Sequence, residues 1–466
     1  MKYVSFSNMS KLVFAVALTI PFVSQAQEKI LFQRPTNLRA YDQSGINVFE
    51  TKKDDKAAKF EGISISMGAG FTQQAQMLKH ENSGALNNGG GTTATAQANK
   101  LYPLKPGFMT AQANWFLDAQ LADGIRLNVT TYLSARHHNE AWVKGGYIQF
   151  DKLPFKGQFW SDLMKITTIK VGHYEVNYGD AHFRRPDGGH TLYSPFMEGN
   201  IMDAFATEIG GDVLIQKNGF FGMVGLTNGM IKGHIDTVVA TTQDDNIKRS
   251  PSILLKAGID KQLTDAVRLR ISGSLYHNGS SAGSGLTLYG GDRTGSNYQN
   301  VMEKWVAAPG ASATAQAYTA TAFSGRLNPG FSKKVNAIMF NGFLKVKGLE
   351  FFGTFETAAG RTKTETDNRK ATQLAGDVVY RFGSNENLFV GLKYNTVSAR
   401  LANTTSITYT DDIKVNRFAA AAGWFLTKSV LLKGELVNQK YTAFPTADYR
   451  YNGKFNGVVI EAVVGF

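Results

Sequence analysis

The feature that constrains this chain most is a period-2 alternation of apolar and polar residues, recurring along almost its whole length. Between Ile125 and Arg136, one face of an extended chain carries Ile125, Leu127, Val129, Leu133 and Ala135. The other carries Arg126, Asn128, Thr130, Tyr132, Ser134 and Arg136. Val267 to Tyr276 repeats the scheme, with Val267, Leu269, Ile271 and Leu275 opposed to Arg268, Arg270, Ser272 and Ser274. Leu374, Val378, Tyr380 and Phe382 likewise alternate with Gln373, Asp377 and Arg381. Successive side chains of a β-strand point to opposite faces, so these runs read as strands with one apolar side.

Sixteen such segments are predicted, at 60–79, 107–121, 125–137, 141–153, 165–178, 203–217, 219–230, 251–262, 266–279, 334–346, 349–360, 370–382, 386–400, 412–426, 429–442 and 454–466. Connections after the even segments are mostly tight, as at Asn218-Gly219 and Lys347-Gly348, and only 154–164 is longer. Connections after the odd segments are mostly long: 80–106, 180–202, 231–250 and 280–333. A soluble sandwich shares the alternation but not this asymmetry. Short turns on one rim and long loops on the other are the pattern of a membrane barrel. The fold class is therefore all-β: a transmembrane, antiparallel, up-and-down β-barrel of about 16 strands, with short periplasmic turns and long external loops.

The N-terminus agrees. Lys2 and Lys11 precede a twelve-residue apolar stretch, Leu12 to Val23, and Ser24-Gln25-Ala26 puts small residues at −3 and −1 of a cleavage site. That is a secretory signal peptide, residues 1–26, too short to span a bilayer. Its removal lowers the formal net charge from +13 to +11. Residues 60–466 form the barrel. Residues 27–59, with a charge run from Lys52 to Lys56, form either a periplasmic tether or a partial plug. The chain contains no cysteine, which excludes thiol nucleophiles, zinc-thiolate centres and redox dithiols. Beyond the signal no apolar run reaches the length of a helical membrane span.

In the last segment Val458, Ile460, Ala462, Val464 and Phe466 share a face. A terminal aromatic there resembles the C-terminal signal of Gram-negative outer-membrane barrels, which implies the barrel-assembly machinery as a partner through Phe466. Trp115, Tyr174, Tyr178, Tyr380, Phe382, Trp424, Phe425 and Phe466 lie near segment ends, where interfacial girdles place amphipathic rings.

About sixteen strands leave an aqueous channel. The polar faces would line it with Arg126, Arg136, Lys256, Arg268, Arg270, Lys345, Arg381, Lys393 and Lys433, against Asp118, Glu350, Glu356, Asp377, Glu435 and Glu461. Mixed charges on facing walls favour polar solutes, and the basic excess predicts a mild anion preference.

In strand number and loop order the chain resembles the general Gram-negative porins. The strand Ile169 to Gly179 is similar to the one before the third loop in porins of the phosphate-selective type and their Bacteroidota relatives. The run of pore-lining lysines that phosphate selectivity requires is not evident here. In those porins the third loop folds inward and narrows the pore, which implies that 180–202 is the constriction. Asp180, His182, Arg184, Arg185 and Asp187 would carry its charge, with the arginines facing Asp180, Asp187 or wall carboxylates. Gly188 and Gly189 would reverse the loop, and Pro186 would stiffen it. A solvated external loop is the plainer alternative.

Other chemistries fit less well. His182, His190, Asp180, Asp187 and Glu198 lack the spacing of a metal site, and His137 and His138 point opposite ways on a strand. His173 and His277 lie near Ser272 and Ser274 without an orienting acid at catalytic spacing. No cofactor and no nucleic acid partner is implied, since the basic charge is dispersed. The expectation is a non-enzymatic outer-membrane porin passing small hydrophilic solutes, embedded in outer-membrane lipid and self-associated as a homotrimer. The alternative is a non-conducting barrel acting as anchor or accessory subunit of a secretion or surface complex. In that case 27–59 and the long loop 280–333 would bind the partner.

Overall fold

The computed structural model describes residues 38–53, 60–84, 99–109, 111–134, 141–186, 190–231, 233, 235, 248–282, 285–290, 297–304 and 324–466. The signal peptide therefore lies outside the described residues, as do Arg136, His137, His138 and Asp187.

All strands belong to one antiparallel sheet that closes on itself. In chain order they are β1 (Ser64–Glu81), β2 (Gly107–Phe108), β3 (Gln112–Ala122), β4 (Ile125–Ser134), β5 (Ala141–Phe150) and β6 (Thr167–Glu175). Then come β7 (Thr207–Lys217), β8 (Phe220–Thr227), β9 (Ser252–Thr264), β10 (Val267–Asn278), β11 (Lys334–Val346) and β12 (Leu349–Arg361). The last five are β13 (Arg369–Phe382), β14 (Leu388–Ala399), β15 (Ile413–Thr427), β16 (Val430–Thr442) and β17 (Lys454–Gly465). Each predicted segment is a strand, and the predicted 107–121 is one stave interrupted between β2 and β3. The break is local: just past β2 the buried Met109 still donates its N–H to the Gln74 carbonyl of β1 at 2.9 Å. Counting β2 and β3 together, the barrel has sixteen staves.

Closure comes from β1, whose first half pairs with β3 (Ser64↔Gln120 to Thr72↔Gln112) and whose second half pairs with β17 (Gly70↔Gly465 to Glu81↔Lys454). No edge is left open, which is the way a sheet can sit in lipid. Tight turns close one rim. Asn218 and Gly219 both have positive φ (54° and 80°), the requirement of a two-residue hairpin turn matched to strand twist. A Cβ on Gly219 would also come within 2.5 Å of the Lys261 side chain. The single longer connection on this rim contains a seven-residue helix, α1 (Gln158–Met164).

The pleat decides the rest. On β13, Leu374 is 55% exposed while its neighbour Gln373 is 1% exposed, and the alternation continues through Val378, Tyr380 and Phe382 outside against Asp377 and Arg381 inside. The apolar face is the outer one on strand after strand: Phe340, Phe351, Phe355, Val390, Leu392 and Ile460 all face outward. A water-soluble barrel would be inverted. An apolar outer wall around a polar interior is the construction of an outer-membrane barrel.

The aromatic girdle needs correcting. Trp115, Tyr380, Phe382, Trp424 and Phe466 are exposed on the outer wall, but Tyr174, Tyr178 and Phe425 are buried inside. Phe425 follows Trp424 and so takes the opposite face of the pleat. Tyr178 lies beyond the end of β6, and its hydroxyl donates to Glu356 at 3.1 Å across the lumen.

Candidate functional site: a filled and charged lumen

Three stretches of chain outside the strands enter the barrel: residues 38–53, the described parts of the third loop between Val176 and Ala206, and the described parts of 280–333. Their buried apolar residues, among them Met197, Ile201, Met202, Leu288 and Val301, pack on inward strand residues such as Val335, Met339, Val397 and Val415. The described parts of the long loop fold inward, where Tyr289 donates to Glu356 at 2.8 Å.

A loop buried in this way must satisfy its backbone polar groups. The strands provide the partners. Met197 N–H donates to Glu435 at 2.8 Å, Ile201 N–H to Asn395 Oδ1 at 2.6 Å, and Met202 N–H to Gln373 Oε1 at 2.9 Å. Gln373 Nε2 returns a bond to the Met202 carbonyl at 2.8 Å. Lys433 Nζ donates to the carbonyls of Ser194 (3.1 Å) and Phe196 (3.2 Å) and pairs with Glu461 at 2.9 Å. Lys393 Nζ donates to the Gly199 carbonyl at 3.0 Å. The amides on this inner wall carry no charge and do not stand out in the sequence, yet they bracket the loop.

The charges of the loop's described residues are engaged. Asp180 accepts from Arg270 Nη2 at 2.7 Å and Nε at 2.8 Å, from Ser272 at 2.7 Å, and pairs with Lys256 at 2.8 Å. Its N–H donates to Asn341 Oδ1 at 2.8 Å. Burial pushes the Asp180 carboxyl up, but Lys256 and Arg270 outweigh it and hold it well below the usual carboxylate range. Arg184 reaches Asp377 at 3.1 Å and Glu350 at 3.5 Å, donates to Asn47, and packs against the rings of Phe343 and Phe352. Arg185 pairs with Asp203, which also binds Arg326 at 2.8 Å, and lies over the Phe205 ring. Arg184 therefore meets the wall carboxylates Glu350 and Asp377, and Arg185 the loop carboxylate Asp203, but Asp180 is not among them. The wall cations Arg270 and Lys256 hold it instead, because the backbone bonds at Gly179 and Asp180 draw that end of the loop onto β9–β11.

His182 is set between Glu175 (2.8 Å from Nδ1) and Asn177 (3.0 Å from Nε2). Burial lowers its pKa, with Glu175 acting against the shift. His190 stacks instead on Phe116 and Tyr193. Glu198 binds Arg417 at 3.0 Å, and burial raises its pKa in spite of Arg326 and Arg417. Among the described residues no group of three or more His, Asp and Glu side chains is arranged to hold a metal ion. Ser272 and Ser274 are spent on Asp180 and on the Gly179 N–H, and His277 bonds Asn336.

The remaining inward residues form a paired network. Arg268 grips Asp260 through two bonds of 2.7 and 2.9 Å. Lys345 pairs with Glu386 at 2.7 Å, and Arg381 with Glu350 at 2.9 Å. Arg126 donates to Gln149 at 2.7 Å, and Glu435 also takes the Tyr298 hydroxyl.

Residues 38–53 occupy the turn-side half of the lumen. Tyr41 donates to Asp118 at 2.7 Å and Asn47 to Glu350 at 2.6 Å, while Phe49 packs with Phe343 and Phe352. Between this segment, the third loop and the wall of β3–β7 a cavity of about 240 Å³ remains. Four cations, Arg39, Arg126, Lys144 and Lys170, and three carboxylates, Glu50, Glu175 and Asp212, line it.

No protein-family model matches the chain. No curated protein matches it in sequence. Among solved structures it is similar to an anion-selective porin from Comamonas acidovorans, with 11% identity over 87% of this chain and 100% of that one, at a TM-score of 0.49. It is similar also to OprB of Pseudomonas putida in a high-pH structure, with 10% identity over 87% and 94% and a TM-score of 0.49. The outer membrane channel DcaP of Acinetobacter baumannii shows 11% identity over 89% and 99%, with a TM-score of 0.46.

Proposed function

We propose that this chain is an outer-membrane channel for passive diffusion of small hydrophilic solutes, with a mild anion preference and with the loop 180–202 as its constriction. The observation that carries this is the way the wall holds the loop inside the barrel. Neutral amides bind its backbone, and Lys256, Arg270, Glu350 and Asp377 bind its charges. The cavity beside it, with four cationic and three anionic side chains, supports the anion preference. Reconstitution into planar bilayers tests it: stepwise conductance with a reversal potential displaced toward the anion is expected, and an electrically silent membrane overturns it.

A non-conducting anchor is the second reading. It is favoured by the extent to which residues 38–53 and the described parts of 280–333 also fill the lumen. A homotrimer and recognition of Phe466 by the assembly machinery belong to the first reading. Phe466 stands exposed at the seam where its backbone pairs with Ala69.

A further inference from the structure

The two segments that meet in the turn-side lumen are attached differently. The third loop is bound through its backbone by wall side chains, as described above. Residues 38–53 join no ladder, and among the described residues their backbone donates to the barrel once, from Gln43 to the Lys428 carbonyl at 2.8 Å. Its backbone accepts twice, the Asn47 carbonyl from Arg268 at 2.9 Å and the Ala40 carbonyl from the Tyr193 hydroxyl, and the other contacts run through its side chains, among them Lys53 Nζ to the Asp151 carbonyl at 2.8 Å. Gln43 Nε2 reaches the Asn385 carbonyl on the turn rim at 3.0 Å. Arg39 donates to the Phe183 carbonyl at 2.9 Å, and Phe49 meets Phe183 edge-on at 5.6 Å between ring centres. Glu50 pairs with Lys256 at 2.9 Å and Arg270 at 2.7 Å, and accepts from Asn177 at 3.0 Å.

Such an attachment is released as a unit, and its release leaves the barrel closed. Lys256 and Arg270 would keep Asp180, and Arg270 would keep Asp260, so neither cation is stranded when Glu50 leaves. The segment also covers the remaining passage, because Arg39, Tyr41, Phe49 and Glu50 line the cavity. Withdrawing it would enlarge that cavity and remove one of the three carboxylates that line it.

We propose that residues 38–53 are a displaceable plug latched by Glu50, whose withdrawal widens the passage and shifts it toward anions. This rests on the channel reading above.

The test is single-channel recording on the full chain with Glu50→Gln. The open fraction is expected to rise on the order of tenfold or more, with the reversal potential moving toward the anion. A second variant adds Gln43→Cys and Lys428→Cys, whose backbones are hydrogen-bonded and which would be the chain's sole thiols. Oxidation should abolish the gain of Glu50→Gln, and reductant should restore it. Asn47→Ala, which removes a second buried polar anchor, gives the same readout if Glu50→Gln does not fold. Wild-type-like recordings from the weakened variants, or a tether without effect, overturn the plug and leave the channel standing. Silence from every folded variant overturns both.

Discussion

Glu50 and Asp180 share the same two cations. Lys256 lies 2.9 Å from Glu50 and 2.8 Å from Asp180, and Arg270 lies 2.7 Å from each. One carboxylate comes from the segment before the first strand and the other from the third loop, so two wall residues of β9 and β10 tie together parts of the chain that never pair in the sheet.

Breaking this cluster from the loop side should cost stability. Asp180→Ala leaves Lys256 and Arg270 paired with Glu50, and Arg270 with Asp260, but takes one shared carboxylate from both and the acceptor from Ser272, and is expected to destabilise the barrel by about 1–3 kcal/mol. Denaturant titration in lipid vesicles measures it.

The same cluster sets an acid limit. Burial pushes the Glu50 carboxyl up, but Lys256 and Arg270 overcome this and bring it down to about 2, and Asp180 is lowered in the same sense. A carboxyl depressed on folding stabilises above its unfolded pKa of about 4.3, and that contribution fades as pH falls through the folded value. Thermal stability should therefore decline from about pH 4 down to about pH 2, and Glu50→Gln should flatten part of that decline.

Arg184 and Arg185 carry the loop's positive charge against Glu350, Asp377 and Asp203. Replacing both by alanine should raise single-channel conductance and move ion selectivity away from anions. Unchanged recordings would show that 180–202 is not the constriction.

The wall amides make a separate prediction. Asn395→Leu removes the acceptor of the Ile201 N–H, which is wholly buried, and should cost about 1–3 kcal/mol. Gln373→Leu should do the same at Met202. Limited proteolysis of the third loop should report both, with faster cleavage inside 180–202 than in the wild type.

The outer wall behaves oppositely to a soluble protein's surface. Leu374→Arg places a charge on an exposed position in the middle of β13 and should cost about 2–4 kcal/mol in a bilayer. Folding yield into vesicles measures it. A loss near zero would mean that this face does not meet lipid.

The barrel was legible because each strand reports its own faces. Alternation over Arg369–Phe382 or Val430–Thr442 needs only neighbouring residues to be read, and pairs such as Asn218-Gly219 mark where the chain turns back. Girdle positions failed where one residue of parity mattered, as between Trp424 and Phe425. The interior was legible only in kind: many charged residues of the inner face could be named, though not Asp260 or Arg417, and their partners could not. Asn47 meets Glu350 across 303 residues, and Arg417 meets Glu198 across 219.

What the sequence determined by itself was thus the closed, outward-apolar barrel, because strand period and turn chemistry are local properties. The tertiary structure alone decided that residues 38–53, the third loop and parts of the long loop fill the lumen, and which charge meets which. Those contacts join side chains brought together only when the sheet closes, and no local pattern encodes them.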